Sequence, residues 1–176
     1  MKKVLLMLKE VVCSTLLAII VAMFVVNFIG VKAVVNGDSM YPTLFDGQNL
    51  MASKISYIVG EPDRFDIVVV DTTNDMLGKY LIKRIIALPG ENIQIDKEGN
   101  IYVNDELLDE KFGAEKIIDP GIAIDKINLA EDEYFVLGDN RNRSLDSRSP
   151  SVGVIKRNNI TAKAFEIELF GLDKEK

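Results

Sequence analysis

The hydrophobic pattern changes character near residue 32. Before it, one apolar run dominates: Val11–Val31 is 21 residues without a charge. Its centre, Leu16-Leu17-Ala18-Ile19-Ile20-Val21-Ala22-Met23-Phe24-Val25-Val26, is unbroken, and only Ser14, Thr15 and Asn27 bring polar side chains to the run. As a helix it is about 31 Å long, which matches a hydrocarbon core of about 30 Å. After residue 32 the apolar runs are short and broken by turn residues. Ala33–Val35 is a stub, Asn49–Ile55 alternates, and Asp66–Asp71 encloses Ile67-Val68-Val69-Val70, the pattern of a buried strand. Lys79–Leu88 is longer. Ile93–Asp96 and Ile101–Val103 flank Lys97-Glu98-Gly99-Asn100, which predicts a hairpin. Tyr134–Leu137 and Ile160–Leu169 close the series. The pattern predicts a mainly β fold behind one N-terminal transmembrane helix.

That pattern divides the chain. Residues 1–10 precede the anchor, 11–31 form it, and 32–105 with 134–172 supply a β-rich core. Residues 106–133 are the most acidic and least periodic part and contain Pro120-Gly121; they read as a small inserted lobe or excursion. Residues 173–176 form a frayed tail. No repeat or heptad pattern is present after residue 32.

Charge orients the anchor. Lys2, Lys3 and Lys9 precede the span and Lys32 follows it, so the positive-inside bias puts the N-terminus in the cytoplasm and the body outside. A cleaved signal peptide is the competing reading. Its apolar region is shorter, however, and the only small-x-small match nearby, Val31-Lys32-Ala33, has a charge in its middle. The whole chain holds 21 Lys and Arg against 27 Asp and Glu, a net charge of −6. Such an acidic body disfavours nucleic-acid partners.

Composition then narrows the chemistry. There is no histidine, so a Ser-His-Asp triad, a Cys-His dyad and any His-ligated metal are excluded. The one cysteine, Cys13, lies in the apolar run and reads as a small apolar filler. Neither a disulfide within the chain nor a cysteine-rich metal cluster is possible. Catalysis falls to Ser, Thr, Tyr, Lys, Arg, Asp or Glu.

Three segments carry candidate chemistry. In Gly37-Asp38-Ser39-Met40-Tyr41-Pro42-Thr43-Leu44, Gly37 and Pro42 stiffen a turn that would expose the Ser39 hydroxyl. Most serines in Gly/Asp/Pro neighbourhoods merely build turns, and alone this segment reads that way. In Tyr80–Gly90, strand alternation places Lys83 between Leu81 and Ile85 on one face. Burial there would lower its pKa and make a neutral amine available as a general base. The alternative is an edge lysine with its ammonium in water. Leu137-Gly138-Asp139-Asn140-Arg141-Asn142-Arg143-Ser144-Leu145-Asp146-Ser147-Arg148 is either a solvated loop or a rigid charge network able to hold a hydroxyl against that amine.

Together these segments resemble the type I signal peptidases, membrane-anchored serine proteases that cut signal peptides from exported proteins. The resemblance runs from the anchor through Ala164. Ser39–Leu44 is similar to the family's nucleophile box. Arg64-Phe65-Asp66-Ile67-Val68-Val69 is similar to the next, with Phe65 in place of the usual glycine. Tyr80–Glu91 is similar to the lysine box, with Ala87 where glycine is common. Gly138-Asp139-Asn140-Arg141 with Ser144, Asp146, Ser147 and Arg148 matches the last. The short excursion between the last two boxes resembles the compact Gram-positive forms.

The resemblance implies an antiparallel β-sheet catalytic domain of the signal-peptidase and self-cleaving-repressor type. It implies Ser39 as nucleophile, a neutral Lys83 as general base, and Ser144 orienting the Lys83 amine. Asp146 with Arg148, and Asp139 with Arg84, are expected as supporting ion pairs. The Ser39 N–H is expected to donate to the oxyanion. Gly37 stands where some members carry a second hydroxyl donor. Val35, Met40, Leu44 and Ile82 are expected to line shallow pockets for small residues before the cut bond, with ordinary core packing as the alternative for each. The implied partners are preprotein signal peptides at the membrane surface and the lipid bilayer, with no cofactor, no metal and no nucleic acid. Two other classes fit the sequence less well. Soluble self-cleaving repressors lack an anchor and carry a DNA-binding domain. A non-enzymatic anchored β module leaves the three segments unexplained.

Overall fold

The structure is a computed structural model that describes residues 2–29, 31–72 and 80–165. The start of the Lys79–Leu88 run, the end of the Ile160–Leu169 run and the 173–176 tail lie outside the described residues. Helix α1 covers Lys2–Ile29 and so takes in residues 2–10 and most of 11–31. Its described side chains run without a break only from Met7 to Val21, and the large apolar ones among them are exposed. A span needs about 20 apolar residues. Among the described residues, no helix is long and apolar enough to cross a membrane.

The body follows in chain order as β1 (Val31–Val34), β2 (Asn49–Ser53), helix α2 (Ser56–Val59), β3 (Ile67–Asp71), β4 (Tyr80–Ala87), β5 (Asn92–Ile95), β6 (Ile101–Val103), β7 (Glu106–Leu107), β8 (Ile127–Asn128), β9 (Glu133–Leu137), β10 (Ile155–Lys156) and β11 (Ile160–Phe165). Every strand pair is antiparallel. The main sheet has the order β1-β2-β11-β3-β4-β9-β10. A smaller sheet, β7-β6-β5-β8, draws strands from both the 32–105 and 106–133 ranges.

Alternation along the strands builds the cores. On β9, Tyr134 and Val136 face one cluster with Val68, Val70 and Ile85, while Phe135 and Leu137 face another with Ile86, Ile93 and Ile95. A third cluster joins Val35, Met40, Leu44, Leu50 and Ala52 to Ala162 and Ala164. It lies beneath the turn that carries Ser39. The β5–β6 hairpin closes at Gly99, which has φ +80°. A Cβ there would stand 2.3 Å from the Ile117 carbonyl oxygen, so conformation and space both require glycine.

Candidate active site

Ser39 sits between the end of β1 and a helical turn. The Leu44 N–H donates to the Met40 carbonyl at 2.9 Å, and the Gly37 N–H donates to Asp46 Oδ1 at 2.7 Å. Gly37 takes φ +85°, which reverses the chain just before the serine. Ser39 is half-buried. Its own amide N–H donates to no group among the described residues.

Lys83 reaches the serine from β4. That strand lies inside the sheet, with Val68 of β3 opposite Lys83, and β9 on its other side. The Lys83 side chain is therefore walled by neighbours, and the residue is only 3% exposed. Its Nζ lies 2.7 Å from Ser39 Oγ. Burial lowers its pKa from 10.5 to about 8, against a smaller upward pull from the Asp146 and Asp139 carboxylates.

Those carboxylates are compensated. Arg84, the next residue on β4, donates from Nε to Asp139 Oδ1 at 2.8 Å and from Nη2 to Oδ2 at 2.6 Å. Arg148 grips Asp146 in the same two-pronged way, at 2.8 and 2.9 Å. All four residues are buried. The network also fastens the 138–148 loop to the serine turn. Thr43 Oγ1 donates to Asp139 Oδ2 at 2.5 Å, the Asn140 N–H donates to the Ser39 carbonyl at 3.0 Å, and Asn140 Nδ2 donates to the Asp38 carbonyl at 3.0 Å. The Gly138 N–H donates to Asp146 Oδ2 at 3.1 Å. Sequence alone gives Thr43 and Asn140 no role of their own; the signal for them is their nearness in the chain to Ser39 and Asp139.

Ser144 occupies a different relation from the one the resemblance implies. Among the described residues its Oγ is buried and makes no hydrogen bond, while the Lys83 amine bonds Ser39. It packs against Gly138 instead. A Cβ at Gly138 would fall 2.2 Å from Ser144 Oγ and 2.4 Å from the Ser39 carbonyl oxygen. Glycine at 138 is what lets β9 end this close to the serine.

A cleft of about 770 Å³ opens over the Ser39–Lys83 pair. Val35, Met40 and Ile82 line it, with Ala33, Ala52 and Leu145 among their neighbours. Leu44 does not reach it. Leu44 is fully buried in the cluster behind Met40, because the helical turn after Ser39 directs it inward. Phe65 stands at φ +72°, a left-handed conformation that costs a side chain about 1–2 kcal/mol and costs glycine little. That accounts physically for a glycine preference at this position.

The chain is similar to proteins of one kind. It is 36% identical over 152 residues to a probable signal peptidase I-2 of Synechocystis sp., covering 84% of this chain and 67% of that one. It is 34% identical over 158 residues to signal peptidase I of Bacillus licheniformis, covering 86% and 83%. A crystal structure of a signal peptidase I from Enterococcus faecalis is 28% identical and covers 60% of this chain and 97% of that one, at a TM-score of 0.47. The family model described as signal peptidase, peptidase S26, matches residues 8–168, and the chain belongs to that family.

Proposed function

We propose that this protein is a membrane-anchored serine endopeptidase that removes signal peptides from exported preproteins, with Ser39 as nucleophile and neutral Lys83 as general base. The observation that carries the reading is the 2.7 Å approach of a buried amine to a half-buried hydroxyl. A hydrogen bond of that length lets the amine take the Ser39 proton as Oγ attacks the scissile carbonyl. The resulting ammonium then protonates the leaving amine. Water hydrolyses the acyl-enzyme by the same route, with Lys83 again as base.

The unclaimed Ser39 N–H supports its assignment as oxyanion donor, a contribution worth about 3 kcal/mol. The Gly37 N–H is held by Asp46 and Gly37 has no side chain to replace it. The Arg84–Asp139 and Arg148–Asp146 pairs serve as supports. They fix the 138–148 loop against the serine turn and offset two carboxylates that would otherwise raise the Lys83 pKa further. Ser144 adjoins this centre and packs against Gly138. Val35, Met40 and Ile82 shape the pockets that admit small side chains before the cut bond, since a bulky side chain does not enter a shallow apolar pocket.

The anchor completes the reading. A helix of 28 residues is about 42 Å long, and its charge-free part from residue 11 to Ile29, about 28 Å, comes close to the hydrocarbon thickness of about 30 Å. Its described apolar side chains are exposed on every side, a surface that lipid covers and water does not favour. The lysines before the span place the N-terminus in the cytoplasm and the catalytic domain outside. Ser39 is eight residues past Val31, within about 29 Å of the membrane exit. The cut site of a membrane-held signal peptide emerges at that depth.

The test is turnover of a preprotein by the full chain in detergent. Ser39→Ala and Lys83→Ala are expected to lose activity by at least about a thousandfold. Equal turnover by the wild type and both variants would end the reading.

A further inference from the structure

The short segment 110–114, in the inserted stretch between the lysine strand and the last loop, makes more contacts to the ion-pair network than its irregular sequence suggests. Phe112 lays its ring over the Arg84 guanidinium, 3.8 Å from Cζ to the ring centroid. It also packs on Phe65 at 5.1 Å between ring centroids. Phe65 is the residue in the left-handed conformation, and its carbonyl accepts from Arg84 Nη1 at 2.9 Å. The Ala114 N–H donates to the Asp139 carbonyl at 3.0 Å. Gly113 lies against Arg141, where a Cβ would stand 3.1 Å from Cζ. Glu110 pairs with Arg141 Nη1 at 2.8 Å while its other oxygen accepts from the Phe112 and Gly113 N–H groups.

We propose that residues 110–114 form a positioning strap for the catalytic centre, in which Phe112 holds Arg84 and, through Asp139 and Thr43, the turn that presents Ser39. The chain of contacts is continuous. Phe112 covers Arg84, Arg84 binds both oxygens of Asp139, Asp139 accepts from Thr43, and Thr43 lies four residues beyond Ser39. The Asp139 backbone is held by Ala114 at one atom, while the next residue, Asn140, holds the Ser39 carbonyl. Phe112 is not among the residues that line the cleft over Ser39 and Lys83, so it acts on catalysis through this relay.

The relay needs a flat, apolar face over the guanidinium. An aromatic ring attracts the cation and keeps water from its outer edge, so the Arg84–Asp139 pair stays in one geometry. An aliphatic side chain excludes water without that attraction. Alanine does neither, and the pair gains alternative arrangements that misplace the serine turn. Small displacements of a positioned nucleophile lower turnover without altering substrate binding.

This inference rests on Ser39 and Lys83 being the catalytic pair, and the experiment separates the two. Steady-state cleavage of a preprotein by the full chain in detergent is measured for wild type, Phe112→Ala, Phe112→Leu and Phe112→Tyr, each also in a Thr43→Val background, with Ser39→Ala as control. Phe112→Ala is expected to lower kcat about tenfold with KM within about twofold. Phe112→Tyr restores kcat, and Phe112→Leu lowers it about threefold. In the Thr43→Val background the Phe112→Ala loss shrinks to about twofold or less, because the relay is already cut. Unchanged kcat in Phe112→Ala overturns the strap, as does a loss confined to KM or a loss of equal size in both backgrounds. If Phe112→Ala does not fold, the same cycle is read from Phe112→Leu. An active Ser39→Ala protein refutes the catalytic reading instead.

Discussion

Lys83→Met separates what the buried amine does for chemistry from what it costs the fold. Burial lowers the Lys83 pKa from 10.5 to about 8. Below pH 8 the amine is protonated in both the folded and unfolded chain, and only the folded chain bears the cost of a desolvated ammonium. At about 1.4 kcal/mol for each tenfold change in proton affinity, that cost is about 3 kcal/mol at pH 7. Between pH 8 and pH 10.5 the folded protein releases this proton while the unfolded chain retains it, so wild-type stability rises with pH. Methionine matches the length of the stem, carries no charge and does not titrate. Lys83→Met is therefore expected to abolish cleavage and to gain stability relative to wild type, by about 3 kcal/mol at pH 7 and about 1 kcal/mol at pH 10. Loss of the amine's hydrogen bond to Ser39 shifts both figures downward by a similar amount and leaves their difference intact. Urea unfolding of both proteins in one mild detergent, followed by circular dichroism at several pH values, measures that difference. A stability gap that stays constant from pH 7 to pH 10 would refute the reasoning.

Other consequences follow from the same geometry. The value of kcat/KM for preprotein cleavage is expected to rise with pH and level off above about 8, because the base works only when neutral; a flat profile from pH 6 to pH 10 would argue against Lys83 as base. Gly138→Ala places a Cβ within 2.4 Å of the Ser39 carbonyl oxygen and is expected to reduce turnover more than any Ala substitution on the outer edge of the sheet, read as kcat in the same assay. Asp139→Asn leaves the Arg84 charge buried without its counter-ion and is expected to cost about 3–5 kcal/mol in urea unfolding. Phe65→Gly is expected to be more stable than Phe65→Ala by about 1 kcal/mol, since both lose the ring and only glycine accepts φ +72° without strain.

Local pattern made several elements legible. Ile67-Val68-Val69-Val70 reads as a strand because it is buried on both faces, Val68 in one cluster and Val69 against another. The β5–β6 hairpin was readable from Gly99 and the Asp96 and Asn100 side chains around it, and Asp96 Oδ1 accepts from the Asn100 N–H at 2.8 Å. Pairing between distant strands leaves no such trace. Nothing in Ile160–Phe165 announces that it inserts between β2 and β3. The two-residue strands β7 and β8 are too short to show a period, so the 106–133 stretch reads as irregular although both strands pair into the small sheet.

The site divides in the same way. Lys83 stood out as a lysine between aliphatic neighbours, but its depth depends on β3, β9 and the 138–148 loop closing around it. Nearness to Ser39 in the chain points Leu44 to the cleft, and one helical turn carries it into the core instead. Phe112 was invisible because its partner, Arg84, lies 28 residues earlier and its role is a stacking contact that no motif records. Ser144 shows the converse case: its place in the last box pointed to Lys83, and its oxygen lies buried and unpaired beside Gly138.

The central claim is that the Lys83 amine, buried against Ser39, releases its proton near pH 8 rather than near 10.5. Its most direct test is an NMR titration of the lysine side-chain signals in isotope-labelled full-length protein, with the Lys83 signal assigned by its loss in Lys83→Met. A midpoint near 8 is the predicted result. A midpoint above about 10, the range of a solvated lysine, would contradict the account.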